Sequence, residues 1–176
     1  MNARTHSALA GEYLVFTIDG EPCAMTIGRI REVIGYPPVT AVPSAPRTIR
    51  GVIDLRGKVV PIVDLAAKFG FGEQAPTKWT CLIVVEATLG GDQALLAVVA
   101  DTVEDVVAFR ESDLVPPPAF GTRVRLDYLL ALARLAREGS RFALVLDVDR
   151  LLTLDEILTI APPPTPAPSV AAERAP

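Results

Sequence analysis

The residues of this chain that could do chemistry are few, and their spacing does not assemble them. The only histidine, His6, lies in a small, polar opening segment with no acid or thiol beside it, so neither a general base nor a metal-ligand set forms around it. Asp101, Glu104 and Asp105 come closest to a carboxylate pair, yet on a strand Asp101 and Glu104 point to opposite faces. They predict a solvated rim. Cys23 and Cys81 stand far apart without a Cys-x-x-Cys, which supports neither a disulfide framework nor a zinc site. Each sits in an apolar, strand-like context where free cysteine packs as a small hydrophobe. Gly70-Phe71-Gly72 lacks the third glycine and the preceding strand of a dinucleotide loop, and Gly-x-x-x-x-Gly-Lys-[Ser/Thr] is missing. We therefore assign no catalytic residue, no metal ligand and no cofactor.

One charged side chain stands out by its setting. Arg56 falls at the turn of Asp54-Leu55-Arg56-Gly57-Lys58, between β-branched runs at residues 49–55 and 58–62. Gly57 supplies a position that tolerates positive φ, so the passage predicts two short buried strands folded about a tight turn. Arg56 is then either a solvated turn residue or one half of a bidentate pair with a carboxylate. Glu32, an acid in the apolar stretch Ile30-Arg31-Glu32-Val33-Ile34, is the attractive partner. Alternation on that strand places Ile30, Glu32 and Ile34 on one face and Arg31 and Val33 on the other.

The elements that must position these residues are mostly strands. Residues 12–19 alternate and are aromatic-rich, Asp19-Gly20 marks a turn, and residues 22–27 read as the returning strand. Pro37, Pro38, Pro43 and Pro46 exclude a regular ladder through the next stretch. Asp64 is placed to cap a short helix over residues 65–69 that ends at Gly70. Residues 70–78 form the best internal boundary. Further strands follow at residues 80–86, 94–100 and 103–109, the first two joined through Gly90-Gly91-Asp92. Ile30, Val33, Ile34, Val98 and Val99 fit ordinary core. Residues 123–138 are contested: Leu126, Leu129, Leu130, Ala133 and Ala136 argue for a helix on propensity and period. Residues 149–160 fit an amphipathic helix with a break near Thr153.

With 176 residues, half of them hydrophobic, the chain suits one domain or two small subdomains with a shared core. A net charge of −4 offers no electrostatic reason to seek nucleic acid. The opening residues lack the basic and apolar regions of a secretory signal, and the longest apolar runs fall far short of the ~20 residues of a membrane-spanning helix. A cytoplasmic protein without direct membrane insertion is expected. Residues 1–10 are expected to be a loose tail, residues 11–161 the folded domain, and residues 162–176, rich in proline and alanine, a disordered tail.

The hairpin at Arg56 resembles the signature of the CheW family of chemotaxis coupling proteins, in which an Asn/Asp-Leu-Arg-Gly turn precedes a Val-Pro-Ile-Asp-Leu-like strand and helix start. Other stretches fall in that family's order: Tyr-Leu-Val-Phe at residues 13–16, Ile-Arg-Glu-Val-Ile, Val-Ala-Asp-x-Val-Glu-Asp-Val at residues 99–106, and Leu-Val-Leu-Asp-Val-Asp-Arg-Leu-Leu at residues 144–152. The resemblance implies an all-β fold with short helices, built as two intertwined five-stranded SH3-like β-barrel subdomains. It resolves residues 130–147 as a hairpin about residues 138–140, with Ala131 where the family usually has glycine. Its implied function is a non-catalytic scaffold that couples the cytoplasmic tips of methyl-accepting chemoreceptors to the regulatory domain of the histidine kinase CheA in membrane-associated arrays. Ile30, Glu32, Gly51, Arg56 and Val99 match the receptor-binding neighbourhood, and Val39 and Phe120 the kinase-facing side. Glu32 and Arg56 would pair where the two subdomains meet and fix their geometry. The alternatives are a paralogous coupling protein controlling pili, biofilm or a second messenger, and, from another class, a small β-barrel ligand-binding module or enzyme.

Overall fold

The computed structural model describes residues 8–119, 124–136, 141–153 and 155–156. Eleven strands are described: β1 (Gly11–Ile18), β2 (Glu21–Thr26), β3 (Ile30–Gly35), β4 (Ile49–Leu55), β5 (Lys58–Val63), β6 (Cys81–Leu89), β7 (Asp92–Ala100), β8 (Thr102–Phe109), β9 (Leu114–Val115), β10 (Leu129–Leu135) and β11 (Arg141–Leu146). One short helix, α1 (Leu65–Phe69), follows β5. The strands form a six-stranded sheet in the order β8-β1-β2-β11-β10-β9 and a five-stranded sheet in the order β3-β6-β7-β5-β4. The expected five strands per subdomain hold for one, while the other gains the two-residue β9. The chain starts in the six-stranded sheet, builds the whole five-stranded sheet with β3 to β7, and returns with β8, so the subdomains are intertwined. Residues 70–78 therefore do not divide them; they link α1 to β6 within one subdomain, and the crossings fall at β2–β3 and β7–β8.

Three apolar clusters explain why the strand sequences look as they do. Ile53, Val60, Ile62, Leu82, Val84, Ala97 and Val99 fill the inner face of the five-stranded sheet. Tyr13, Val15, Ala24, Leu114, Ala131, Ala133 and Val145 fill that of the six-stranded sheet. The largest cluster joins the two, with Phe16, Met25 and Leu146 from one sheet meeting Val63, Ile83, Val85, Leu96 and Val98 from the other. Strands β6 and β7 send alternate residues to different cores, which is why they are near-continuous hydrophobic runs without polar alternation.

Turn chemistry follows the residues closely. Asp19 and Gly20 both have positive φ (49° and 75°), as do Arg56 and Gly57 (53° and 83°), the pattern that a two-residue I′ hairpin turn requires. Sequence reasoning placed positive φ at Gly57 alone. Asp64 caps α1 by accepting from the Ala67 N–H at 3.0 Å, and Gly70 ends it at φ 79°. The contested residues resolve into a 3₁₀ turn (Leu126–Tyr128) and β10, which buries Leu129, Ala131, Ala133 and Leu135 in strict alternation. Period two wins because Ala131, Ala133 and Leu135 all meet the core of the six-stranded sheet, which outweighs helix propensity. A register shift between Leu129 and Ala131 bends β10 where the family's glycine was expected. At the C-terminal end a 3₁₀ turn (Val148–Arg150) precedes a helical start at residues 155–156. The expected turn at residues 138–140, most of that helix, and both tails except residues 8–10 lie outside the described residues.

Candidate functional site: the Glu32–Arg56 face

Arg56 donates from Nη1 to Glu32 Oε1 and from Nη2 to Oε2, each at 2.9 Å, a planar bidentate contact that lysine could not reproduce. The turn geometry aims Arg56, and Asp54 Oδ1 reinforces it by accepting from the Gly57 N–H at 2.7 Å. The Arg56 side chain is 77% exposed and that of Glu32 23%. Both residues belong to the five-stranded sheet, whose two edges are β3 and β4. The pair therefore closes one subdomain across its open edges. It does not lie between the two subdomains, where the resemblance had placed it.

A bulge explains why Glu32 can reach. Ile30 pairs with Val85 and Glu32 with Val84, so β3 advances two residues against one of β6 and Arg31 is the extra one. Arg31 and Glu32 consequently line the same depression, together with Leu55, Arg56, Lys58, Glu86 and Leu95. Arg31 pairs with Glu86 there. The same bulge turns Ile30 to the other side, against the inter-subdomain core. Strict alternation had put Ile30 and Glu32 on one face; the extra residue separates them.

The other expected site residues scatter. Val99 is buried in the inner core of the five-stranded sheet. Gly51 sits at φ 145° beneath the strap of residues 39–40, and a Cβ there would lie 2.3 Å from the Thr40 carbonyl oxygen and 2.7 Å from Val39 Cγ1. Thr40 N donates to Val52 O at 3.0 Å and Val52 N to Thr40 O at 2.9 Å, which holds that strap down. Gly51 and Val39 are thus neighbours, with Val39 packed on the core that contains Val99. Phe120 lies outside the described residues.

Two polar assemblies escaped sequence reasoning. Arg50 donates from Nε to Asp64 Oδ2 at 2.6 Å and from Nη2 to the Gln74 carbonyl at 2.6 Å, so Asp64 caps a helix and anchors an arginine at once. Lys68 Nζ donates to both oxygens of Glu156, at 2.9 and 2.7 Å, and Thr48 Oγ1 donates to Oε1 at 2.5 Å. The side chains of Lys68 and Glu156 are only 4% and 13% exposed. Burial works to raise the Glu156 pKa, but hydrogen bonds from Lys68, Thr48 and the Thr153 N–H outweigh it and hold the carboxyl below the usual range. The signal was present: Thr153-Leu154-Asp155-Glu156 is a capping-box pattern, with Thr153 N donating to Glu156 Oε2 at 2.8 Å and Glu156 N to Thr153 Oγ1 at 3.3 Å.

Burial pushes the Cys23 thiol up, and the charges of Glu21 and Asp101 add to it; burial and Asp101 do the same at Cys81. Neither is a thiolate nucleophile near neutral pH. Asp101 is engaged locally, its Oδ2 accepting from the Asp19 N–H at 2.6 Å. Among the described residues no group of histidine, cysteine, aspartate and glutamate side chains could hold a metal ion, and no helix is long and apolar enough to cross a membrane.

A family model described as "CheW-like domain" matches residues 12–156, which includes both sheets and the Glu32–Arg56 face. The chain belongs to the CheW family. It is 33% identical to the chemotaxis protein CheW of Klebsiella aerogenes over 161 residues, covering 89% of this chain and 93% of that one. To the chemotaxis protein CheW of Rhizobium meliloti it is 31% identical over 158 residues, covering 88% and 96%. The fold is similar to the crystal structure of the scaffolding protein TtCheW from Thermoanaerobacter tengcongensis, with a TM-score of 0.73 at 25% identity over 84% of this chain and 90% of that one.

Proposed function

We propose that this CheW-family protein is a non-catalytic scaffold that couples the cytoplasmic tips of chemoreceptors to the histidine kinase CheA and thereby sets kinase activity. The observation that carries this reading is the bidentate Glu32–Arg56 pair beside Leu55 and Leu95 in one depression, with Arg56 held at the β4–β5 turn. A depression that combines Leu55 and Leu95 with the Glu32–Arg56 and Arg31–Glu86 pairs suits the end of a partner's helical hairpin, with the apolar residues supplying affinity and the paired charges supplying register. Glu32 and Arg56 act there directly. Gly51 and Val99 support the same subdomain from beneath, and Ile30 offers a separate contact on the opposite side of β3. Val39 and Phe120 are the kinase-facing residues in this reading. Two weak interfaces suffice for such a scaffold, because partners already arrayed at a membrane raise each other's effective concentration.

The test is a pull-down from the native cytoplasm with the intact protein as bait. Recovery of a chemoreceptor cytoplasmic domain together with a CheA-type kinase is expected. Recovery of neither, or saturable binding of a small metabolite at the Glu32–Arg56 face, would contradict the proposal.

A further inference from the structure

We propose that the two subdomains are held in a single orientation by three polar clamps around their shared core, and that Glu156, braced by Thr153, closes the tightest of them. Burial of the shared core is non-directional and does not by itself favour one angle. Charge-assisted hydrogen bonds do dictate one. The first clamp joins Glu156, beyond β11 of the six-stranded sheet, to Lys68 of α1 and Thr48 before β4, both in the five-stranded subdomain. Lys68 also lies over the Tyr128 ring at 5.6 Å, and Phe69 packs on that ring with centroids 5.6 Å apart, so α1 is gripped from the six-stranded side.

The second clamp lies at a different junction. Asp149, in the 3₁₀ turn after β11, pairs with Arg29 and accepts from the Thr88 N–H of β6 at 2.7 Å, while Arg29 Nε donates to the Glu86 carbonyl at 2.9 Å. The third runs from the β1–β2 turn, where Asp19 Oδ1 accepts from Gln74 Nε2 at 3.2 Å, into the Arg50–Asp64 assembly. Each clamp joins a segment that continues from a strand of the six-stranded sheet, after β11 or between β1 and β2, to a residue of the five-stranded subdomain. Glu32–Arg56 does not, so it drops out of this role despite its geometry.

Backbone residual dipolar couplings on the full-length protein test the inference, because they report the orientation of each sheet separately. The parent protein and Arg56→Ala should each fit one alignment tensor across both sheets. Glu156→Gln and Asp149→Asn should each keep couplings consistent within a sheet, while the two sheets require different tensors or unequal degrees of order. One common tensor in both clamp variants would overturn the inference, and so would loss of the common tensor in Arg56→Ala. Asp149→Asn guards against failure of Glu156→Gln to fold, since the Arg29–Asp149 pair is partly exposed. Global unfolding of Asp149→Asn would itself overturn the inference, because the clamp would then be needed for folding and not for orientation.

Discussion

Glu32–Arg56 and Lys68–Glu156 are both carboxylate–cation pairs between segments distant in the chain, yet their surroundings give them opposite work. The first is a planar fork on an exposed hairpin tip, bridging two edges of one sheet. The second is a nearly dry contact between subdomains, with every oxygen of its carboxylate engaged. An exposed pair contributes little to stability and leaves its charges available to a partner. A buried pair is costly to break, because losing one partner leaves the other charge buried and unpaired. Burial, more than geometry, separates the proposed recognition surface from the proposed clamp in this fold.

The comparison predicts a graded set of effects. Lys68→Met or Glu156→Gln should cost the most, about 3 kcal/mol in chemical denaturation, because each leaves a buried group without its partner. The Glu156 carboxyl is held below its ordinary range, so its stabilising contribution is present above the unfolded-state pKa of glutamate and disappears as pH falls through the folded-state value. Melting temperature should therefore drop on acidification through and below that range in the parent, and Glu156→Gln should flatten that drop. An unchanged acid profile would remove the clamp from the account.

Gly51→Ala should come next, at roughly 2 kcal/mol, since the new methyl would meet the Thr40 carbonyl and the φ of 145° disfavours a side chain. Equilibrium unfolding measures this, and a stable Gly51→Ala that only loses partner binding would return Gly51 to the recognition surface. Arg56→Ala should cost least, within about 1 kcal/mol, while weakening binding of a receptor cytoplasmic hairpin measured by calorimetry. Arg56→Lys should fall between parent and alanine in that titration, because charge survives but the fork does not.

Much of this was legible in the residues. Asp64 as helix cap, Gly70 as terminator, and the turns at Asp19-Gly20 and Arg56-Gly57 follow from local rules that tertiary context did not override. The helix-like spacing of Leu126, Leu129, Leu130 and Ala133 misleads because leucine and alanine satisfy either period; only the core that takes alternate residues of β10 decides. The bulge at Arg31 could not be read, since nothing in Ile-Arg-Glu-Val-Ile marks an extra residue, and that bulge sets which side chains join Glu32. Nothing in the type or position of Lys68, on a short helix, marks it as buried. Its burial depends on a segment 88 residues away, which no local pattern records. The Glu32–Arg56 pairing was legible but its place was not, because sheet order, not sequence order, determines what lies between the subdomains.

The coupling proposal is tested most directly by a three-component bridging assay. A receptor cytoplasmic fragment is immobilised, and retention of the kinase regulatory domain is measured with and without this protein. Retention of the kinase domain is expected only when the protein is present, and Arg56→Ala, although folded, should sharply reduce it. Retention that does not depend on the protein, or that is undiminished by Arg56→Ala, would contradict the coupling proposal.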